Sequence, residues 1–238
     1  MILLSALLAA NEATWPAGRR LAVGGFTLRE GGGGGRRVSC ATCDGDWTED
    51  HLDQAEAAMA GLGQAAQFMI RPGDGLLEAS LERRGYRVAD PTVICAAPIA
   101  ALGPAPDPMT AFPHWPPLAI TRTLWERAGI GPARLAVMHR APPPRAALLG
   151  RSADRPAGAA FVALHETTAM LHALVVPEPM RRAGVGGTIV RRAAVWAGEN
   201  GALALAVAVT EANGPARALY ASLGMKAVGQ YHYRVKGA

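Results

Sequence analysis

Apolar residues recur along the chain at two spacings, one typical of helices and one typical of strands. The helical spacing occurs in the opening segment MILLSALLAA and again over 50–59, 76–84, 188–197 and 215–223. Alternating or continuous apolar runs, which predict strands, occupy 67–70, 170–176 and 202–209. The run MLHALVV at 170–176 is apolar throughout, as expected of a strand covered on both faces. In the helix over 188–197, one face carries Ile189, Ala193, Trp196 and Ala197.

The predicted elements occur twice in the same order. A helix, a strand, a helix ended by glycine and a further strand fill 50–94, and the same series fills 188–235. Gly85 and Gly224 each stand directly after a predicted helix, at a position where the backbone φ is commonly positive and glycine is favoured. We therefore predict an α/β protein built from a duplicated unit.

A proline-rich segment separates the two series. Seven prolines lie between Pro98 and Pro117, which excludes a regular helix or a central strand there. We predict an N-terminal half over 1–97, a linker or crossover over 98–117, and a C-terminal domain over 118–238. The five glycines at 31–35 predict a hairpin loop, with a phosphate-binding loop as the alternative.

Charge is distributed unevenly between the two halves. Residues 1–150 carry 14 basic and 14 acidic side chains, whereas residues 151–238 carry 10 basic and 5 acidic ones. This excess favours an anionic ligand for the C-terminal part. No Lys/Arg run is interleaved with aromatics, so we do not expect a nucleic-acid partner.

The cysteines and the opening segment bear on compartment and cofactors. Three cysteines, an odd number, argue against a disulfide framework and for a reducing compartment. Cys40 and Cys43 form a lone CxxC, and no second pair or neighbouring histidine predicts a metal site. MILLSALLAA has no preceding positive charge, so we interpret it as a first helix, and no run approaches the ~20 apolar residues of a membrane span. We expect a cytoplasmic protein without membrane contact.

The segment PEPMRRAGVGG at 177–187 joins a predicted strand to a predicted helix. Its glycines lie at the helix start, where free backbone N–H groups and the helix dipole favour an anion. Arg181 and Arg182 add positive charge. A tight turn with two solvated arginines is the alternative. The segment lacks the Lys-Ser/Thr of a Walker loop, and Ile189 stands where a dinucleotide fingerprint needs glycine.

Two motifs resemble the GNAT superfamily of acetyl-CoA-dependent N-acetyltransferases. One is R-R-x-G-x-G after VVP, and the other is NGPARALYASLGM at 213–225. The whole chain resembles tandem GNAT proteins whose first half is degenerate. The resemblance implies a mixed sheet flanked by helices, in two related units.

The same resemblance implies roles for particular residues. Tyr220 would protonate the departing coenzyme thiolate, and Asn213 would bond the pantetheine arm or the neighbouring backbone. A phenol of pKa ~10 can protonate a thiolate of pKa ~8.5. The strand backbone that pairs with the pantetheine arm would come from Leu174, Val175 and Val176. The pyrophosphate would be held by Arg181, Arg182, Ala183, Gly184, Val185, Gly186 and Gly187.

The general base is less well defined by the sequence. The fifth-strand position that often holds glutamate in the superfamily is Ala208 here. His172, on the strand before the turn, could deprotonate an ammonium directly or through water. Glu166, on a predicted hairpin turn, and water alone are the alternatives.

The expected function follows from these residues. It is transfer of an acetyl group from acetyl-CoA to a primary amine of a small molecule or peptide N-terminus, by direct attack in a ternary complex without metal. Backbone N–H near Val176 would stabilise the oxyanion. A non-catalytic acyl-CoA-binding module and a mononucleotide-binding protein remain alternatives. We expect a monomer or homodimer that binds one coenzyme, because Leu81 and an acidic turn at 43–50 replace Tyr220 and the basic turn in the first half.

Overall fold

The computed structural model describes residues 2–236 of the 238-residue chain. Its helices are α1 (Leu4–Ala13), α2 (Glu49–Gly61), α3 (Gly75–Arg83), α4 (Ala119–Arg127), α5 (Pro132–Arg140), α6 (Val185–Glu199) and α7 (Gly214–Ser222). Its strands are β1 (Arg19–Val23), β2 (Phe26–Glu30), β3 (Ala41–Cys43), β4 (Gln67–Ile70), β5 (Arg87–Pro98), β6 (Ala111–His114), β7 (Arg145–Ser152), β8 (Arg155–His165), β9 (Thr168–Val175), β10 (Ala204–Thr210) and β11 (Lys226–Val235). Over the described residues, no helix is long and apolar enough to cross a membrane.

The chain forms two compact units. The larger unit contains residues 2–15, 94–209 and 213–229, and the smaller unit contains 16–93, 210–212 and 230–236. These units differ from the predicted sequence boundaries, because 2–15 and 94–97 lie in the larger unit together with the proline-rich segment 98–117. The reason is that α1 buries its apolar face against β8 and β9, which belong to the second half of the chain.

The smaller unit has the strand order β1-β2-β3-β4-β11-β5, to which β11 contributes residues 230–235 and β5 residues 87–93. The β1–β2, β2–β3 and β4–β11 pairs are antiparallel, and β3–β4 is parallel. Its core is a cluster of fully buried side chains from α2, α3 and the strands, including Phe26, Leu28, Leu52, Phe68 and Leu81. The five glycines connect the antiparallel strands β2 and β3, as the predicted hairpin loop requires.

The larger unit has the strand order β11-β5-β10-β9-β8-β7-β6, to which β11 contributes residues 226–229 and β5 residues 94–98. The β6–β7, β7–β8 and β8–β9 pairs are antiparallel, and β9–β10 is parallel. Helix α6 packs so closely on one face that a Cβ at Gly150 or Gly158 would lie 2.7 or 2.8 Å from Ile189 Cδ1. On the opposite face Phe161 meets Trp15, which follows α1, at 6.1 Å between ring centroids.

The predicted repeat of elements is present. The series β1-β2-β3-α2-β4-α3-β5 has the same order as β7-β8-β9-α6-β10-α7-β11, and the parallel pair falls at the same place in each. Gly85 and Gly224 follow α3 and α7 with φ of 80° and 79°. This is a mixed α/β fold, as the sequence predicts.

Two predicted elements differ in detail. Helix α6 begins at Val185 rather than 188, because the glycines at 186 and 187 occupy its first turn, where the backbone N–H groups need no helical partner. The proline-rich segment contains β6, which is an edge strand and therefore tolerates Pro113.

Candidate functional site

The parallel strands β9 and β10 pair over only part of their length. Their register runs from Thr168↔Ala204 to Leu171↔Val207, whereas β9 continues to Val175 and β10 to Thr210. Residues 172–175 therefore lie beyond the β9–β10 register. Leu174, Val175 and the following Val176 are half-buried in this stretch, where strand-like backbone groups can pair with an extended ligand.

A β-bulge in β9 lies at the same place. Phe161 pairs with His172 and Ala159 with Val175, so two steps along β8 match three along β9. Ala173, inside this bulge, has φ of 51°, which is uncommon for a residue with a Cβ. The indole N–H of Trp125 donates to the Ala173 carbonyl oxygen at 2.9 Å. The fully buried Trp125 therefore fixes the bulge and, with it, the direction of the end of β9.

The turn after β9 presents the start of α6. Gly184 caps the helix in the left-handed region with φ of 77°, and Arg182 also has positive φ, at 61°. The first helical hydrogen bond runs from Thr188 N–H to Gly184 O at 3.0 Å. The backbone N–H groups of the first turn, including those of Val185 and Gly186, have no hydrogen-bond partner within the helix.

No side chain among residues 2–236 caps α6, and its first turn carries no acidic residue. The starts of α1, α3, α4 and α5 also lack a side-chain cap. Thr48 Oγ1 caps α2 by accepting from His51 N–H, and Asn213 Oδ1 caps α7 by accepting from Ala216 N–H at 3.2 Å. The glycines and the two exposed arginines before it, rather than the missing cap, distinguish the N-terminus of α6 as a place for an anionic ligand.

The three glycines of the turn differ in how strongly the structure requires a residue without a Cβ. At Gly184 the positive φ would strain a residue with a Cβ, although the space is open. At Gly186 an added Cβ would lie 3.0 Å from Leu219 Cδ2, which is tighter than normal contact. At Gly187 the nearest atom, Arg191 Nη1, would lie at an ordinary 3.5 Å. Gly184 and Gly186 are thus the more demanding positions.

Arg181 and Arg182 both have exposed side chains beside the α6 N-terminus. Arg181 Nε donates to Val176 O at 3.2 Å, so its guanidinium links the turn to the end of the β9 strand segment. Positive charge from both side chains adds to the helix dipole at this point. The predicted pyrophosphate residues are consequently contiguous in the structure as well as in sequence.

Helix α7 carries the other two predicted residues on one side. Asn213 is its N-cap, and Tyr220 lies seven residues later, two turns along. The Asn213 side chain bonds the backbone at Ala216, which is one of the two roles expected of it. Tyr220 is 6% exposed, and burial raises its pKa to about 12, with Cys95 adding to the rise. The phenol therefore stays protonated at neutral pH.

His172 occupies an aromatic and hydroxyl environment. Its ring lies 5.1 Å from that of Trp15 and stacks on Phe161 at 6.2 Å. Its Nε2 is 2.8 Å from Thr14 Oγ1, and the Thr14 hydroxyl donates to Ala10 O at 2.6 Å. Because that hydroxyl proton is already committed, His172 Nε2 must be the donor, and a proton-accepting role falls to Nδ1.

The alternative base positions lie in different surroundings. Glu166 is exposed on the β8–β9 turn with φ of 51°, at the start of β9. Six residues of strand, about 20 Å, separate it from His172. Ala208 lies on β10 just beyond the paired register and offers no titratable group. The geometry therefore does not bring Glu166 to the place where β9 and β10 part.

The cysteines are free thiols. Burial raises the pKa values of Cys43 and Cys95, which keeps both protonated at neutral pH. Over residues 2–236 there is no group of three or more metal-ligating side chains.

The acidic turn of the smaller unit is internally neutralised. Arg71 Nη1 pairs with Asp44 at 2.9 Å, and Arg84 pairs with Glu49 at 2.7 Å. A hydrogen bond from Ser80, with help from Arg84, lowers the pKa of Glu49, which is in the first turn of α2. The first turn of α2 thus carries carboxylates, whereas the first turn of α6 carries none. Leu81 of α3, the residue predicted to correspond to Tyr220, is fully buried.

Comparison with known proteins shows which family part of this chain resembles and which solved structures share its fold. Residues 112–225 match the model of the acetyltransferase (GNAT) family. This part of the chain, 114 of the 238 residues, is therefore similar in sequence to the GNAT acetyltransferases. No curated protein matches the chain by sequence.

Several solved structures share the fold. A GCN5-related N-acetyltransferase from Kribbella flavida has 16% identity and a TM-score of 0.73, over 100% of this chain and 98% of that one. A functionally unknown conserved protein from Staphylococcus epidermidis has 11% identity and a TM-score of 0.66, over 92% and 94%. A tandem GNAT protein from the clavulanic acid biosynthesis pathway has 14% identity and a TM-score of 0.61, over 83% and 74%.

The sequence does not predict three features of the site. Two of them are the bulge at Ala173 and its support by Trp125, 48 residues away in the chain. A bulge leaves no mark in a uniformly apolar run, and Trp125 looks like any buried helix tryptophan. The Thr14–His172 contact spans 158 residues and was equally unmarked.

Proposed function

We propose that the chain is an N-acetyltransferase that transfers an acetyl group from acetyl-CoA to a primary amine. The observation that carries this proposal is the open N-terminus of α6, placed directly after the end of β9 where it leaves the β9–β10 register. A phosphate site at a helix start and free strand backbone beside it suit a ligand with a pyrophosphate and an amide-bearing arm. Coenzyme A has both.

In this proposal the coenzyme lies along the end of β9. The backbone of Leu174, Val175 and Val176 pairs with the pantetheine arm, and residues 181–187 hold the pyrophosphate. A backbone N–H near Val176 polarises the thioester carbonyl and stabilises the oxyanion formed on attack. The bulge at Ala173, whose carbonyl oxygen accepts from the Trp125 indole, lies beside these backbone groups.

The proposed reaction is direct attack in a ternary complex. The amine nitrogen forms a bond to the acetyl carbonyl carbon, the C–S bond breaks, and the sulfur leaves as a thiolate. Tyr220 gives that thiolate its proton, and burial, which raises the pKa of the phenol to about 12, keeps the phenol protonated until the C–S bond breaks. His172 Nδ1 accepts, directly or through water, the proton that the amine nitrogen releases as the new C–N bond forms.

The smaller unit is proposed to be a degenerate copy without coenzyme. Its acidic turn, neutralised by Arg71 and Arg84, supports this proposal, as does Leu81 at the position of Tyr220. A non-catalytic acyl-CoA-binding module is the second candidate. The hydrogen bond between His172 Nε2 and Thr14 favours it, because a histidine held in this way can serve packing instead of proton transfer.

A screen in two stages tests the proposal. The melting temperature is measured with acetyl-CoA, ATP and NAD, and a panel of primary amines is then assayed for thiol release from acetyl-CoA. Stabilisation by acetyl-CoA together with amine-dependent thiol release is the expected result. Stabilisation without thiol release from any amine supports the binding module, and stabilisation by ATP or NAD instead contradicts coenzyme A as the ligand.

A further inference from the structure

The carbonyl group of Ala173 leaves the sheet ladder at the bulge in β9. In the described part of the chain, Ala173 has a register partner neither on β8, where His172 and Val175 pair, nor on β10, where the register ends at Leu171. Its carbonyl oxygen accepts from the Trp125 indole N–H at 2.9 Å. A side chain thus takes the place of the hydrogen-bond partner that a neighbouring strand would supply.

Trp125 is a firmly held donor in the last turn of α4. Its side chain is fully buried, and its backbone carbonyl oxygen accepts from the N–H groups of Ala128 and Ile130 at 3.0 and 2.9 Å. Helix α4 packs on β7, β8 and β9 within the larger unit. Because both its ring and its backbone are held, this indole N–H stays at one place beside β9.

The backbone conformation that accepts this hydrogen bond is uncommon. Ala173 has φ of 51°, in the left-handed region that glycine adopts freely and that a residue with a Cβ adopts at a cost. A bulge of one residue also shifts the phase of the strand that follows, so backbone groups that would face one neighbouring strand face the other. The conformation at Ala173 therefore decides which N–H and C=O groups of residues 174–176 face the side where the β10 register has ended.

We propose that Trp125 is a positioning residue for the coenzyme and acts through Ala173. Its indole N–H stabilises the left-handed conformation at Ala173, which keeps Leu174, Val175 and Val176 in the phase that presents backbone groups to the pantetheine arm. This inference rests on the proposed function, because it requires that acetyl-CoA binds along the end of β9. Trp125 touches neither substrate, and it acts on the population of the strand conformation that binds the coenzyme.

A double-mutant cycle between positions 125 and 173 tests this role by calorimetric titration with acetyl-CoA. Trp125→Phe keeps an aromatic ring and removes the N–H donor, so the binding conformation becomes a minority and the Kd should rise about 10-fold. Ala173→Gly removes the steric cost of the positive φ, so the strand end depends less on the donor. In the Ala173→Gly background, Trp125→Phe should therefore raise the Kd by less than about 3-fold.

The melting temperature separates positioning from packing. Trp125→Phe leaves unfilled volume in the core, and glycine at position 173 cannot fill it, so the loss of melting temperature should persist in the Ala173→Gly background. Leu124→Ala is the matched control, since Leu124 is a buried neighbour on the same helix and is 6% exposed. This control should lower the melting temperature and leave the acetyl-CoA Kd unchanged.

The outcomes distinguish this inference from the function on which it rests. A parent that binds no acetyl-CoA contradicts the proposed function itself, and the inference falls with it. A parent that binds, while Trp125→Phe keeps the parent's Kd or loses as much affinity in the Ala173→Gly background as without it, overturns the positioning role alone.

A second variant covers the case in which Trp125→Phe does not fold. Ala173→Val places a β-branched residue at φ of 51°, which strongly disfavours the same conformation while the Trp125 donor is kept. A rise of about 10-fold in the acetyl-CoA Kd supports the dependence of binding on this conformation. An unchanged Kd in folded Ala173→Val overturns it.

Discussion

Thr14 and His172 form a hydrogen bond of 2.8 Å between the end of α1 and strand β9, 158 residues apart in sequence. Since the Thr14 hydroxyl donates to Ala10 O, it accepts from His172 Nε2 and thereby determines which ring nitrogen carries the proton. The first residues of the chain thus orient a side chain at the centre of the candidate site in its second half.

This contact gives the first prediction, on the proposed base. His172→Gln removes the proton acceptor, so kcat/KM should fall about 100-fold. Thr14→Val removes the hydrogen bond that sets the tautomer and should give a smaller loss. The measurement is kcat/KM for the parent and both variants with the same amine. A His172→Gln enzyme with the parent's kcat/KM would assign the base role to water.

The second prediction concerns the turn before α6. Gly186→Val brings a side chain against Leu219 and into the path of the pyrophosphate, so acetyl-CoA affinity should fall about 10-fold or more. Gly187→Ala, where an added Cβ meets Arg191 at an ordinary 3.5 Å, is the matched control and should have the smaller effect. Calorimetric titration measures both, and unchanged affinity in Gly186→Val removes the phosphate site from this turn.

An arginine of the same turn provides the third prediction. Arg182→Ala removes one exposed positive charge, so acetyl-CoA affinity should fall about 3- to 10-fold and its dependence on salt should become flatter. Arg127→Ala on α4 removes an exposed charge away from the turn and should leave both properties unchanged. Calorimetric titration with acetyl-CoA at low and high salt measures the affinity and its salt dependence for both variants. An equal salt dependence in the parent and Arg182→Ala would show that Arg182 does not face the phosphates.

Much of this fold could be predicted because its signals are local. The strand at 67–70 and the glycines after α3 and α7 lie where the sequence places them, since periodicity and positive-φ glycines are read from neighbouring residues. The open start of α6 was visible for the same reason. Resemblance to a known family then supplied Asn213 and Tyr220, which spacing alone does not single out.

The parts that escaped prediction depend on residues far apart in the chain. The bulge at Ala173 is defined by how β9 pairs with β8 and by the hydrogen bond from Trp125. The placement of α1 in the larger unit depends on apolar burial against strands more than 140 residues later, as the Thr14–His172 contact shows. Sequence periodicity predicts that a helix has a buried face, but not which sheet that face will contact.

The fourth prediction tests the central claim, that the larger unit catalyses acetyl transfer with Tyr220 as the acid. Tyr220→Phe keeps the buried ring, which is 6% exposed, and removes the hydroxyl whose pKa burial raises to about 12. The kcat for amine acetylation should fall about 100-fold or more, with acetyl-CoA affinity and melting temperature nearly unchanged.

The decisive measurement is steady-state thiol release by parent and Tyr220→Phe with the best acceptor amine, beside calorimetric affinity for acetyl-CoA. A large loss confined to kcat is expected. A Tyr220→Phe enzyme that turns over within a factor of about three of the parent would contradict it, because solvent would then protonate the thiolate and the tyrosine would be a packing residue.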